Sequence, residues 1–213
     1  MPHHAWDTGD LDQNWLGYLI PGTTVLRNRV GATTMEALRD AENDLVEVRL
    51  LELRERPTLI GARTYDLAHM KAIHHHLFQD VYDWAGELRT VGIEKGGESF
   101  CPPANVNQPM GHVAMRIHEL NRLKVVTATD LAHTVAYLYD YVNYAHPFRE
   151  GNGRTTREFF DQLLAERGTG LDWERTDDVE LHGSCHAARA ESELHGLTAM
   201  FEKIIDNNPA YYW

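Results

Sequence analysis

The chain has 213 residues, 43% of them hydrophobic and 24% charged, the proportions of a folded globular protein and not of a disordered one. Twenty basic against 32 acidic residues leave a formal charge of −12, which argues against binding nucleic acid or an anionic membrane through a basic surface. No apolar run approaches membrane-spanning length, and the start of the chain lacks the basic-then-apolar order of a secretory leader, so the sequence reads as cytoplasmic, with delivery into another cell left open.

In chain order, residues 1–30 set Trp6, Trp15, Tyr18 and Leu19 among turn formers, ahead of and around a Pro21-Gly22-Thr23 turn, and read as an arm packed on the domain by its aromatics. No repeat or linker separates a second domain, so one domain is expected over 1–213, its core at about 34–206. From Thr34 to Arg54, Met35, Leu38, Leu45, Val46, Val48, Leu50, Leu51 and Leu53 recur at helical spacing, with Thr34 as N-cap and Pro57 past the end. Asp66 caps a second helix striped by Leu67, Met70, Ile73, Leu77 and Phe78. The period then changes. Leu88–Glu94 alternates, Lys95-Gly96-Gly97-Glu98 supplies a turn, and Ser99-Phe100-Cys101 returns, which predicts a β-hairpin ended by Pro102-Pro103. Helices follow over 107–123, over Asp130–Tyr144 with Leu131, Val135, Leu138 and Val142 inward, from about Asn152 to Arg167 with Gly168 as stop, and as one long stretch over Asp177–Asp206. The fold expected is mainly α, with one small hairpin.

The chemistry concentrates in His146-Pro147-Phe148-Arg149-Glu150-Gly151-Asn152-Gly153-Arg154-Thr155-Thr156-Arg157. A loop with two glycines running into a helix start presents backbone N–H groups and the positive end of the helix dipole to an anion. Gly151 and Gly153 allow close approach of a phosphate, and Arg154 and Arg157, three apart, project from one helix face. Guanidinium forks suit polyphosphate oxygens. Glu150 is the hard oxygen donor that Mg²⁺ takes when its other ligands are phosphates and water. His146 is the side chain most readily tuned to take a proton near neutral pH. Together these predict phosphoryl or nucleotidyl transfer onto a hydroxyl.

The segment resembles the signature of the Fic family, H-x-F-x-[DE]-G-N-G-R-x-x-R, matched at every specified position. The stretch Pro21–Asn28, the run Ile73–Val91, the tip Lys95-Gly96-Gly97 and the exit Phe100–Pro103 are also similar to the family, so the resemblance spans about Pro21 to Glu202. It implies a Fic-type helical bundle with the hairpin as a flap beside the active-site loop. It implies transfer of AMP from ATP to a Ser, Thr or Tyr hydroxyl of a target protein, with release of pyrophosphate. On that template His146 is the base, and Glu150 holds Mg²⁺. Gly151, Asn152 and Gly153 form the anion hole, Asn152 also bonding the α-phosphate, and Arg154 and Arg157 grip the β- and γ-phosphates. Phe148 anchors the loop by packing, Pro147 and Arg149 carry no assigned role, and Ile93 and Lys95 of the flap dock the target.

The intact Gly153-Arg154 pair sets the chain apart from the family's phosphate-transferring branch; phosphate or phosphocholine transfer, and nucleotide binding without turnover, are the alternatives. The family's inhibitory pattern [ST]-x-x-x-E-[GN] is met only imperfectly, by Thr198…Glu202-Lys203 and Thr90…Glu94-Lys95. A separate small antitoxin whose Glu reaches Arg157 is therefore expected, and the resemblance also suggests a type II topoisomerase as target. Four features outside the signature read as structural or weak. Consecutive His74-His75-His76 point in three directions and cannot converge on one ion. His182 and His186, with Cys185 between them, have zinc spacing but no further ligands nearby, which leaves a metallohydrolase as the remotest reading. His3-His4 belongs to a mobile start. The only two cysteines, Cys101 and Cys185, exclude a disulfide framework and read as free thiols, a single bridge remaining open.

Overall fold

The structure, a computed structural model, describes residues 8–191 and 193–207; the readings of Trp6 and His3-His4 lie outside the described residues. The polypeptide forms two compact units. Of the described residues, the first takes in 8–63, 68–106 and 146–155, and the second takes in 64–67, 107–145, 156–191 and 193–207.

The first unit opens with α1 (Leu11–Gly17), capped by Asp10, whose side chain accepts from the Gln13 N–H. Seven residues are too few for a periodic stripe, so this helix within the expected arm carries no sequence signal of its own. Tyr18 and Leu19 are buried as expected, but Trp15 is 39% exposed. Helix α2 (Met35–Glu55) starts where Thr34 predicts, the Thr34 hydroxyl accepting from the Ala37 N–H at 3.2 Å. Its inward line differs from the apolar one: Leu38, Glu42, Val46 and Leu53 are buried, while Met35, Val48 and Leu51 are each more than half exposed. A carboxylate thus occupies the buried face between two apolar neighbours.

Helix α3 (Leu67–Phe78) begins directly after Asp66 and buries Met70, Ile73, Leu77 and Phe78 completely. Its three consecutive histidines, His74-His75-His76, diverge as predicted. His74 Nε2 reaches the Glu150 carbonyl at 3.0 Å, His75 Nδ1 the Ala85 carbonyl at 2.9 Å, and His76 Nε2 the Arg49 carbonyl at 3.0 Å. The hairpin is β1 (Glu94–Lys95) antiparallel to β2 (Glu98–Ser99), pairing Glu94 with Ser99 and Lys95 with Glu98. Gly96 and Gly97 take φ of +62° and +82°, the left-handed pair that a tight two-residue hairpin turn needs. The strand expected from Leu88 starts only at Glu94. Upstream the backbone is committed elsewhere, the Arg89 N–H donating to the Pro147 carbonyl at 2.9 Å.

In the second unit α4 (Asn107–Glu119) stops short of the expected Leu123, because Asn121, Arg122 and Leu123 take φ of +46°, +54° and +63° and turn Leu123 into the core. Helix α5 (Leu131–Ala145) buries Leu131, Val135, Leu138 and Val142 as predicted. Helix α6 (Asn152–Ala165) begins in the first unit and continues into the second, and Gly168 at φ +77° follows its end. The long helix expected over Asp177–Asp206 is two, α7 (Asp178–Glu191) and α8 (His195–Ile204). The N-cap of α8 is Leu194, which makes no side-chain cap, so no sequence signal marks the break. A second antiparallel pair, β3 (Gly170–Leu171) with β4 (Ile205–Asp206), also went unforeseen. Helix α5 packs on α4 and α8, with Tyr139 between Phe160 and Phe201 at ring distances of 5.2 and 5.3 Å. Cys101 and Cys185 are both buried free thiols. Among the described residues no helix is long and apolar enough to cross a membrane.

Candidate active site

The signature folds into a loop whose backbone is fixed almost atom by atom. His146 has φ +40°, a left-handed conformation that a non-glycine residue holds only when its surroundings impose it. Arg89, 2% exposed, donates from Nε to the His146 carbonyl at 2.7 Å. The half-buried imidazole lies on the Phe100 ring, centroids 3.8 Å apart and planes 22° apart. Phe148 is wholly buried and stacks on His74 at 3.8 Å. His74 Nδ1 accepts the Gly86 N–H at 2.7 Å, which places the ring proton on Nε2, the atom that donates to Glu150. Burial pushes His74 down to about 3, so this neutral tautomer persists across the working pH range.

Asn152 closes the loop. Its Oδ1 accepts the Phe148 N–H at 2.9 Å and its Nδ2 donates to the Phe148 carbonyl at 2.8 Å. The template gives this amide to the α-phosphate; here both of its ends brace the loop. The two glycines differ in what they serve. Gly151 has φ +80°, and a Cβ there would meet the Phe78 ring at 2.4 Å. Gly153 is exposed on the first turn of α6 and a Cβ there would meet nothing within 4 Å, so the fold itself does not require a glycine at 153.

Glu150 and Arg154 share the wall of a cavity of about 600 Å³, with Glu42, Tyr82, Leu26 and Leu38. That volume suits a nucleotide-sized ligand. The Arg154 guanidinium pairs with Glu42 and lies 4.9 Å over the Phe78 ring; Glu42 in turn accepts from the Tyr82 hydroxyl. Arg157 does not line this cavity. It lies in the second unit, paired with Asp178 and 5.5 Å over the Trp173 ring. Glu150 is exposed, one carboxylate oxygen accepting the Gly151 N–H at 3.0 Å. An exposed carboxylate fits Mg²⁺ that arrives with a polyphosphate, since phosphate oxygens and water complete the octahedron. On the hairpin Lys95 is exposed and Ile93 half-buried, the Ile93 carbonyl accepting from the Phe100 N–H at 3.1 Å.

Three contributors were missed by sequence reading: Glu42, Arg89 and Arg149. Arg149 stacks 4.3 Å over the Trp15 ring and 5.8 Å from that of Tyr18, which ties α1 to the loop. A cation inside the signature and an unexplained aromatic in the arm were the available signals. Of the imperfect inhibitory patterns, Glu202 sits exposed on α8 and Glu94 on β1. His182 and His186 are exposed on α7 with Cys185 buried, and among the described residues no three ligands cluster for a metal.

Residues 64–164 match the Fic/DOC family profile. The chain is 33% identical over 188 residues to "Probable protein adenylyltransferase Fic" of Salmonella typhimurium, covering 88% of this chain and 91% of that one. It is 30% identical over 188 residues to the Escherichia coli protein of the same name, with the same coverage. Among solved structures, the BepC effector of Bartonella tribocorum with bound AMPPNP superposes with a TM-score of 0.83 at 24% identity, over 89% of this chain and 96% of that one, a likeness of fold. The chain belongs to the Fic/DOC family.

Proposed function

We propose that this protein is a protein adenylyltransferase that moves AMP from Mg-ATP to a Ser, Thr or Tyr hydroxyl of another protein, acting in the cytoplasm as a single Fic domain over the whole chain. The observation that carries this reading is the shared cavity wall of Glu150 and Arg154 at the N-terminus of α6, beside a Gly153 that the fold does not need. In the reaction the target oxygen bonds to the α-phosphorus, the bond from that phosphorus to the bridging oxygen breaks, and pyrophosphate leaves. His146 takes the hydroxyl proton. The N–H groups of Gly151, Asn152 and Gly153 receive the phosphate charge, Arg154 and Arg157 hold the β- and γ-phosphates, and Glu150 receives the Mg²⁺ that ATP brings. Ile93 and Lys95 on the hairpin dock the target segment. The adenylyltransferase names of the Salmonella typhimurium and Escherichia coli relatives support this activity.

Neither imperfect inhibitory pattern sits where a signature arginine pairs: Arg154 meets Glu42, and Arg157 meets Asp178. The reading assigns restraint to a separate small antitoxin whose glutamate competes for Arg157, and a type II topoisomerase is the first target to test. Host lysate incubated with the protein and Mg-ATP labelled at the α- or the γ-phosphate decides the chemistry. Protein-bound α-label supports AMP transfer. Protein-bound γ-label alone would replace it with phosphate transfer, and no label in any protein would leave nucleotide binding without turnover.

A further inference from the structure

Arg89 takes no part in the chemistry above, yet it is among the most deeply buried side chains of the protein. Its guanidinium donates in three directions: Nε to the His146 carbonyl at 2.7 Å, Nη1 to the Val91 carbonyl at 2.7 Å, and Nη2 to the Cys101 carbonyl. Val91 lies just before β1 and Cys101 just after β2, so these two bonds hold both stems of the hairpin. The Arg89 backbone N–H adds the Pro147 carbonyl at 2.9 Å. Phe100, next to Cys101, supplies the ring on which the His146 imidazole rests.

We propose that Arg89 is a positioning residue that locks the base-bearing loop and the target-docking hairpin into one frame, fixing the distance between the imidazole and the incoming hydroxyl. This rests on the reading of His146 as base and of the hairpin as target dock. A hairpin paired over two residues per strand cannot hold its own geometry. Its stems need an outside clamp, and the clamp used here also bonds the carbonyl of His146, whose φ of +40° must be imposed. Burying a cation is costly, and three charge-assisted bonds to carbonyls offset that cost. The planar fork is what lets one side chain satisfy three acceptors in fixed directions; a lysine ammonium on a flexible stem does not reproduce it.

The test compares wild type with Arg89→Lys, which keeps the charge and loses the fork. Amide hydrogen exchange is followed at 94–99 and 146–151, beside AMP transfer and ATP binding by calorimetry. With folding confirmed by a cooperative thermal transition, the lysine variant should lose kcat by about 100-fold while ATP affinity stays within about twofold, the mark of lost orientation and not lost binding. Hairpin and loop amides should lose protection together, by about tenfold each. Unchanged transfer, or a loosened hairpin beside an unaltered loop, would overturn the proposal. If wild type transfers no AMP, the functional reading fails, and the exchange pattern alone judges Arg89. If the lysine variant does not fold, NMR of the wild type decides: a slowly exchanging Arg89 Nε–H with a through-bond correlation to the His146 carbonyl supports the clamp, and rapid exchange of that proton refutes it.

Discussion

Glu42 of α2 is paired with Arg154 of α6 across 112 positions of sequence, its side chain 8% exposed and its second oxygen taken by the Tyr82 hydroxyl. The arginine proposed to hold a phosphate is thus already neutralised by a carboxylate of its own chain. An incoming polyphosphate must displace that carboxylate, so removing its charge should strengthen nucleotide binding. Glu42→Gln, which keeps an acceptor for Tyr82, is expected to tighten ATP binding by up to about tenfold, or about 1.4 kcal/mol. Calorimetry checks this, and weaker binding would mean that Glu42 orients Arg154 for the phosphate.

The glycines of the signature should separate stability from binding. Gly151→Ala forces a Cβ into the Phe78 ring at a φ of +80°, and overpacking of this kind costs about 1–3 kcal/mol. Gly153→Ala meets open space on a helical turn and should leave stability unchanged or raised by about 0.5 kcal/mol. Its effect should appear in ATP affinity instead. Thermal denaturation of both variants, with ATP titration of the second, tells the two roles apart.

His74 predicts a pH dependence of stability. The unfolded chain takes up a proton as the pH falls through the ordinary histidine value near 6.5, whereas the folded protein holds His74 neutral down to about 3. Stability from this group is therefore complete above pH 6.5 and declines as the medium is acidified, by about 1.4 kcal/mol per pH unit within that window. Denaturant unfolding of wild type and His74→Asn between pH 4 and 7 should differ in slope by about one proton. Parallel slopes would contradict the neutral assignment.

Asn152→Ala should damage the loop as well as the reaction. It leaves the buried Phe148 N–H and carbonyl without their side-chain partners, and each unmet bond costs about 1–3 kcal/mol. A lowered melting temperature in the absence of nucleotide is the expected result.

Local signals carried much of this structure. Thr34 marked the start of α2, the spacing of Leu131, Val135, Leu138 and Val142 marked α5, and Gly96-Gly97 marked the hairpin turn. The signature was legible because its chemistry lies within twelve consecutive residues. What escaped lacked a local mark. The break between α7 and α8 has Leu194 where a polar cap would stand, and β3 and β4 hold two residues each. Glu42 sits in an apolar stripe and meets its partner on α6 only in the folded chain, and Arg89 reads as one more charge in an alternating segment. Side chains that brace a site over long sequence separations leave no periodicity to find.

In the proposed reaction the His146 imidazole accepts the target hydroxyl's proton while the N-terminus of α6 holds the nucleotide. The most direct measurement is transfer of α-labelled AMP to host protein by His146→Ala beside wild type, with ATP affinity measured for both. Loss of transfer by about 100-fold or more with ATP affinity preserved is the predicted result. Transfer by the alanine variant at the wild-type rate would contradict it.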